Sequence, residues 1–95
     1  METKSKKEIK GMGTELAPTI HIGKGGLTEG VVEEVKNQIK KNKLVKVRVL
    51  ASSSQEKKDL AQELADRAGV SLIELRGNTV LLCDEKLYAA KGDST

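Results

Sequence analysis

The sequence predicts a fold that mixes helices and strands, α/β in the broad sense and α+β in the stricter one. It is expected to have two layers, the element order α-β-α-β-α-β-β and a four-stranded mixed sheet. Four short runs, at residues 19–22, 44–50, 70–75 and 79–83, are rich in Val, Ile and Leu, as strands are. Three stretches before and between these runs repeat apolar residues every three or four positions, which is the period of an α-helix. With 95 residues, the chain has room for one domain.

The first helix is predicted over about residues 4–16, a lysine-rich segment whose apolar residues lie three and four positions apart. Gly11 and Gly13 weaken this helix, because glycine loses more backbone freedom on folding than any other residue. Pro18 ends the helix, since it offers no backbone N–H and restricts the residue before it.

The first strand turns its two isoleucines to one side and His21 to the other, where we expect an ordinary surface residue. A glycine-rich loop follows the strand. Thr28 is suited to cap the N-terminus of a second helix, which is expected to end near Asn42. The apolar stripe of this helix consists of Val31, Val32, Val35 and Ile39.

The second strand alternates, with three valines facing inward and Lys46 and Arg48 facing outward. A third helix is expected to be capped by the serines at 52–54 and ended by Gly69. Gly77-Asn78 then fits a two-residue hairpin turn between the last two strands. The two strand-helix units favour a parallel first pair of strands with right-handed crossovers, and the hairpin adds an antiparallel pair.

Basic residues concentrate in the first half of the chain. Residues 1–50 carry 11 Lys and Arg against 6 Asp and Glu, whereas residues 51–95 carry 6 against 8. This asymmetry indicates either a polyanionic partner on one face or a solvated lysine-rich surface. There is no Phe or Trp and only one Tyr, so modules that read RNA by stacking bases on aromatic side chains are not expected.

The expected compartment is the cytoplasm. Cys83 is the only cysteine, which excludes an internal disulfide, and its apolar neighbours favour a buried, unreactive thiol. The sequence shows neither an apolar leader nor a run of the roughly 20 apolar residues that cross a bilayer. We expect a folded domain at residues 1–83 and a flexible polar tail at residues 84–95.

The loop Gly23-Lys24-Gly25-Gly26 joins the first strand to the second helix. Its glycines allow backbone amides to approach an outside group, and the start of the helix adds unpaired N–H groups and the positive end of its dipole. Lys24 contributes a mobile positive charge. The loop is therefore suited to bind a phosphate, and a tight strand-to-helix turn is the alternative interpretation of the same residues.

An enzyme is not expected. The loop matches neither G-x-x-x-x-G-K-[ST] nor G-x-G-x-x-G, because Thr28 stands where the last glycine of the second motif would be. With a single histidine, the chain lacks the residues for a Ser–His–Asp triad or a histidine-based metal site, and we expect neither metal nor cofactor. A pure protein-interaction module is a second alternative, although the anchor residues of such modules are usually aromatic.

Four segments together resemble the CRM domain, a family named for chloroplast RNA splicing and ribosome maturation, in its stand-alone YhbY type. They read LAP at 16–18, IGKGGLTEGV at 22–31, LVKVR at 44–48 and RGNTVLL at 76–82. The resemblance implies a fold similar to the C-terminal domain of the third bacterial translation initiation factor. It also implies RNA binding without catalysis, with the GxxG loop as the RNA-contacting element, as in KH domains.

The resemblance further implies an association with large-subunit ribosome precursors for bacterial members and with group II intron splicing for plant members. The last strand of the family usually ends in an aromatic and a basic residue. This chain has Leu82-Cys83-Asp84 there, so an RNA contact from that strand end is not carried over.

We therefore expect a monomeric RNA-binding protein that acts on ribosomal RNA of the large-subunit precursor, with ribosomal proteins as candidate partners. A factor for intron splicing or transfer RNA and a protein-interaction module on the ribosome are the alternatives. Arg76 and the lysines of the first two helices are weaker candidates for RNA contact. The predicted RNA-binding residues are Gly23, Lys24, Gly25, Gly26, Leu27, Thr28, Lys46 and Arg48.

Overall fold

The computed structural model describes residues 5–23, 25–50 and 53–87. Three helices and four strands follow one another in the predicted order, which confirms the expected α+β fold with a four-stranded mixed sheet. The elements are α1 (Lys6–Gly13), β1 (Ile20–Ile22), α2 (Glu29–Asn42), β2 (Leu44–Val49), α3 (Ser54–Ala68), β3 (Ser71–Arg76) and β4 (Thr79–Cys83).

The strands lie in the order β1-β2-β4-β3. The pair β1 and β2 is parallel, whereas β4 runs antiparallel to both β2 and β3. The predicted parallel pair and the predicted hairpin are thus both confirmed. Because β1, β2 and β3 run in the same direction, their carboxyl ends meet at one end of the sheet. The N-termini of α2 and α3 and the β3–β4 hairpin lie at that same end.

Both long helices begin at the predicted type of residue. The Thr28 hydroxyl accepts a hydrogen bond from the Val31 amide at 3.2 Å and so caps α2. The Ser53 hydroxyl accepts from the Glu56 amide at 3.1 Å and caps α3. Gly69 ends α3 in the left-handed conformation, with φ of 69°, as the C-terminal glycine of a helix commonly does.

The main hydrophobic core lies between the sheet and the helices α2 and α3. The three alternate valines of β2 face it, as predicted, together with Val80 and Leu82 of β4. The helices contribute Val32, Val35, Ile39, Ala61, Leu64, Ala65 and Ala68.

A second, smaller core covers part of the opposite face of the sheet and corrects the prediction of two layers. Ile9 of α1 packs there against residues that alternate with those of the main core, namely Leu44, Ile73, Leu81, Cys83 and Leu87. At this end of the sheet, β2 and β4 are apolar on both faces, so both faces require cover. The helix α1 therefore forms a third, partial layer.

The helix α1 is shorter than the predicted range of 4–16. Its N-terminus is fixed by a capping box, in which the Ser5 hydroxyl accepts from the Glu8 amide and the Ser5 amide donates to Glu8 Oε1 at 3.1 Å. At its C-terminus the Thr14 hydroxyl donates to the Gly11 carbonyl at 2.7 Å. These local bonds end the helix about one turn early.

Gly13 allows α1 to approach the sheet closely. A Cβ atom at this position would lie 2.6 Å from Leu81 Cδ2, and Leu81 is itself buried. The sequence predicted Gly13 only as a weak point of the helix. Its packing role depends on which strand lies beneath it, and the helix pattern alone does not contain that information.

The packed part of the chain extends beyond the predicted boundary at residue 83. The Asp84 amide donates to the Lys43 carbonyl at 2.9 Å, and Leu87 is buried in the second core. The domain therefore reaches at least Leu87. The rest of the predicted tail, residues 88–95, lies outside the described residues.

Candidate functional site

The glycine loop between β1 and α2 closes on itself with one backbone hydrogen bond. The Gly26 amide donates to the Gly23 carbonyl at 3.0 Å, and Gly26 has φ of +80°, which L-residues rarely adopt. Glycine at position 26 is therefore required by the turn. Lys24, the predicted source of charge in this loop, lies outside the described residues.

Gly23 and Gly25 differ from Gly26 in what the fold requires of them. Neither has a positive φ, and a Cβ atom at either position would meet no atom within 4 Å. Both residues are exposed. Backbone conformation and internal packing thus do not require glycine at positions 23 and 25. The turn explains the glycine at position 26 but not these two.

The loop presents backbone donors beside the start of α2. The amides of Gly25 and Leu27 donate to no acceptor among the described residues, and the first-turn amides of Glu29 and Gly30 likewise have no partner there. The Leu27 side chain packs against the main core and anchors this end of the loop. Thr28 acts as the helix cap, and the Glu29 carboxylate partly offsets the positive end of the helix dipole.

The loop lies next to the end of β2 and the hairpin. The Leu50 amide donates to the Ile22 carbonyl at 2.9 Å, and the Val49 amide donates to the Asn78 carbonyl at 2.7 Å. Leu50 is 47% exposed at the centre of this arrangement. We refer to the glycine loop, Leu50 and the Gly77-Asn78 turn together as the loop end of the sheet.

A polar row crosses all four strands on the face away from α2 and α3. The strand registers pair His21 with Arg48, Arg48 with Thr79, and Thr79 with Arg76. Paired residues point to the same face of a sheet, so these four side chains form one line, which we call the cross-strand row. His21, Arg48 and Arg76 are exposed, because α1 covers only the neighbouring part of this face.

The two arginines of the cross-strand row are available for an outside partner. Among the described residues, the side chains of Arg48 and Arg76 form no hydrogen bond or ion pair. Arg48 was a predicted RNA contact and Arg76 a weaker one. Several lysines that the sequence suggested as weaker candidates are instead close to acids: Lys10 to Glu74, Lys36 to Glu33, and Lys43 to Asp84.

Lys46, a predicted RNA contact, faces away from the main core as predicted, but it lies beside α1. It is half-buried, and its ammonium donates to the carbonyls of Gly13 at 2.8 Å and Leu16 at 3.1 Å. Lys46 thus bonds the last carbonyl of α1 and one carbonyl of the segment that follows, and it ties that helix to β2. The alternation of β2 was predicted correctly, but the helix above this position was not foreseen.

Two basic residues at the loop end were missed by the sequence reasoning. Lys57 and Lys58 lie near the start of α3, where they line a shallow cavity beside Leu75 and Gly77 of the hairpin region. The signal that could have found them is topological. A crossover helix that follows β2 begins at the carboxyl end of that strand, which is the end where the glycine loop also lies.

Metal-binding clusters and membrane-spanning helices are both absent from the described residues. Within the described residues, no group of three or more His, Cys, Asp and Glu side chains could hold a metal ion. None of the helices there has both the length and the apolar character needed to cross a membrane.

Comparison with known proteins gives consistent results. A family model described as the CRS1 / YhbY (CRM) domain matches residues 1–83. The chain is 28% identical over 82 residues to a Bacillus subtilis protein named "Probable RNA-binding protein YqeI", covering 86% of this chain and 85% of that protein. It is also 28% identical over 82 residues to a Haemophilus influenzae protein named "RNA-binding protein", covering 86% and 83%.

The fold is similar to a solved structure as well. The solution structure of SAV1595 from Staphylococcus aureus, a hypothetical protein suggested to bind RNA, aligns with a TM-score of 0.77 and 28% sequence identity. The alignment covers 90% of each chain.

Proposed function

The chain belongs to the CRS1 / YhbY (CRM) domain family, and from this membership we propose that it binds RNA without catalysing a reaction. In this proposal the glycine loop holds a backbone phosphate of the RNA. The protein acts as a monomer in the cytoplasm, on ribosomal RNA of the large-subunit precursor. The relatives named as RNA-binding proteins support the general part of the proposal.

The observation that carries the proposal is the pair of glycines at positions 23 and 25. Both are exposed and have open space around the Cβ position, so nothing within the described residues requires the absence of a side chain. A partner that approaches the backbone would require it, because a side chain would hold the partner away. The amides of Gly25 and Leu27, which have no acceptor among the described residues, give such a partner donors to bind, and phosphate oxygens accept hydrogen bonds from donors of this kind.

The arginines next to the loop extend the proposed footprint. Arg48 and Arg76 are exposed and unpaired among the described residues, and Lys57 and Lys58 add charge on the other side of the hairpin. In the proposal these groups contact the RNA mainly at its phosphates, so binding depends on charge and shape more than on base sequence. Lys24 adds to this charge in the proposal. Lys46 is left out of it, because its ammonium is already bonded to α1.

The proposal is tested by crosslinking in cell extract and sequencing the bound RNA. The variant carries Lys24→Asp and Gly25→Asp. The matched control carries Lys86→Asp and Gly11→Asp, which makes the same charge change at exposed positions that are not candidates for RNA contact, and Gly11 also has open space at its Cβ position. We expect the loop variant to lose most of its RNA and the control to retain it.

Each outcome of this experiment is informative. Loop-dependent enrichment of large-subunit ribosomal RNA supports both the loop mechanism and the proposed RNA partner. Enrichment of intron or transfer RNA keeps the loop mechanism and replaces the biological role by one of the alternatives. If the loop variant and the control lose RNA equally, the loop is not the binding element. If no RNA is recovered with the unaltered protein, the proposal fails.

A further inference from the structure

A cavity opens beside the cross-strand row, between the C-terminus of α1 and the sheet. Its volume is about 230 Å³. It shares Arg76 and Thr79 with the cross-strand row, so it is continuous with the basic surface that begins at the glycine loop. Its lining consists of Gly13, Thr14, Lys46, Glu74, Arg76, Thr79 and Leu81.

The lining of the cavity has the mixed character of a small-ligand site. Leu81 is buried and gives an apolar surface, while polar groups of Thr14, Thr79 and Arg76 surround it. Gly13 and Lys46 fix the α1 side of the cavity, since Gly13 allows the helix to approach the sheet and the Lys46 ammonium bonds the last carbonyl of the helix. A volume of this size is below the roughly 300–1,000 Å³ of drug-sized pockets and suits a single planar ring system.

Glu74 is the acidic residue in the lining of this cavity. Its side chain is 25% exposed and lies 3.8 Å from the Lys10 ammonium, which is longer than a hydrogen bond. Among the described residues, no hydrogen-bond donor is bonded to its carboxylate. An ionised carboxylate accepts hydrogen bonds and repels phosphate, so Glu74 is suited to a donor on a base and not to the RNA backbone.

We propose that this cavity binds an unpaired guanine of the RNA held by the glycine loop, an inference that rests on the proposed function. Guanine carries two adjacent donors, N1–H and the N2 amino group, which match the two oxygens of a carboxylate. Adenine and cytosine place a ring acceptor beside their amino group, and uracil flanks its one donor with two acceptors. Glu74 accepts from the two guanine donors, and Arg76, two residues along the same strand face, donates to O6 or N7.

The glycine loop and the cavity are close enough for one segment of RNA to contact both. The loop follows β1 at one edge of the sheet, and the cavity lies over β4 and β3 at the other. Three strand spacings separate the two edges, a distance of about 14 Å. A few nucleotides of single strand cover this span along the cross-strand row, with Arg48 beneath them. Most of the footprint thus contacts the backbone, and one position reads a base.

Competition binding with single-stranded RNA tests this inference. The probes are twelve-residue oligouridines that carry one central guanosine, inosine, adenosine or uridine. We expect the guanosine probe to bind about tenfold more tightly than the adenosine probe, with inosine between them because it lacks the N2 amino group. Glu74→Gln should remove this preference without weakening the all-uridine probe. Glu85→Gln, at an exposed position, makes the same charge change as a control and should keep the preference.

The outcomes separate this inference from the proposed function. If Lys24→Asp/Gly25→Asp loses affinity for all probes but no guanosine preference exists, the cavity inference is wrong and the loop function stands. If the preference survives Glu74→Gln, the inference is also wrong. If the guanosine preference requires Glu74 but the loop variant binds RNA normally, the cavity inference is supported and the proposed role of the loop is wrong. If the unaltered protein binds none of the probes, both fail.

Discussion

At the scale of single residues, the three described glycines of the loop have two different roles. Gly26 adopts a left-handed conformation and closes the turn, whereas Gly23 and Gly25 leave the backbone accessible. The sequence shows three glycines and a lysine, and it leaves a structural turn and a phosphate site equally open. Dihedral angles and the space around each Cβ position show that the turn requires glycine at position 26 but not at positions 23 and 25.

This division predicts opposite results for two similar substitutions. Gly26→Ala should lower the free energy of unfolding by about 1–2 kcal/mol, because an L-residue is strained in the left-handed region. Gly25→Ala should leave stability almost unchanged and weaken RNA binding several-fold, because its Cβ holds the phosphate off the amides. Urea unfolding and filter binding measure the two quantities. A stability loss at Gly25 as large as that at Gly26 would show that both glycines are structural.

Folding alters the ionisation of Cys83, whose thiol is buried. Burial, together with the neighbouring negative charge of Asp84, raises the pKa of its thiol from 9.0 to about 12. The folded protein therefore favours the neutral thiol, while the unfolded chain ionises it near pH 9. Stabilisation from this difference is complete below pH 9 and is lost as the pH rises toward 12.

We expect the free energy of unfolding to fall above pH 9 by up to about 1.4 kcal/mol per pH unit on account of Cys83. The measurement compares the pH dependence of urea unfolding between the unaltered protein and Cys83→Ala, from pH 8 to pH 11. Because the slopes of free energy of unfolding against pH are compared, the pH-independent loss of stability caused by the smaller alanine side chain cancels. Equal slopes in the two proteins would show that the loss of stability above pH 9 does not come from Cys83.

At the scale of elements, the helices and strands follow local signals, whereas the position of α1 does not. Thr28, Ser53 and Gly69 mark helix ends where the sequence placed them. The helix α1 also has a recognisable cap, yet the face of the sheet that it covers depends on the apolar residues of β2, β3 and β4. These strands lie far away in the chain, so no pattern within α1 indicates its partner.

Two glycines of α1 provide a test of this packing. Gly11→Ala should raise the free energy of unfolding by about 0.5–1 kcal/mol, because the Cβ enters open space and the helix gains propensity. Gly13→Ala should lower it by about 1–3 kcal/mol, because its Cβ meets the buried Leu81 side chain. Thermal or urea unfolding measures both. Stabilisation by both substitutions would mean that α1 does not pack closely on the sheet.

At the scale of the whole molecule, the topology gathers basic groups from distant parts of the chain. Arg48, Lys57 and Arg76 belong to three successive elements, β2, α3 and β3, and lie 9 and 19 positions apart in the sequence. Parallel strands with crossover helices bring all three to the loop end of the sheet. The uneven charge along the chain predicted a basic face formed by residues of the first half of the sequence. It did not predict that Lys57 and Arg76, in the second half, also lie at the loop end of the sheet.

Salt dependence of RNA binding checks the size of this basic surface. Contacts with about three to five phosphates predict a plot of log Kobs against log salt with a slope between about −2 and −4.5. Arg48→Gln should make the slope shallower by about 0.7–0.9. Lys36→Gln, at a residue that lies near Glu33 on α2, should leave it unchanged. A shallow slope with strong sequence preference throughout the site would contradict binding mainly through phosphates.

The sequence by itself determined the element order, the helix caps, the hairpin and the alternation of β2, and it singled out the glycine loop. These features depend on residues a few positions apart, whose preferences act locally. Only the tertiary structure decided that α1 forms a third layer, that Lys46 bonds to it, and that Glu74 and Arg76 share a cavity. Those relations depend on strand order, register and the packing of distant apolar residues, which are set when the whole core assembles.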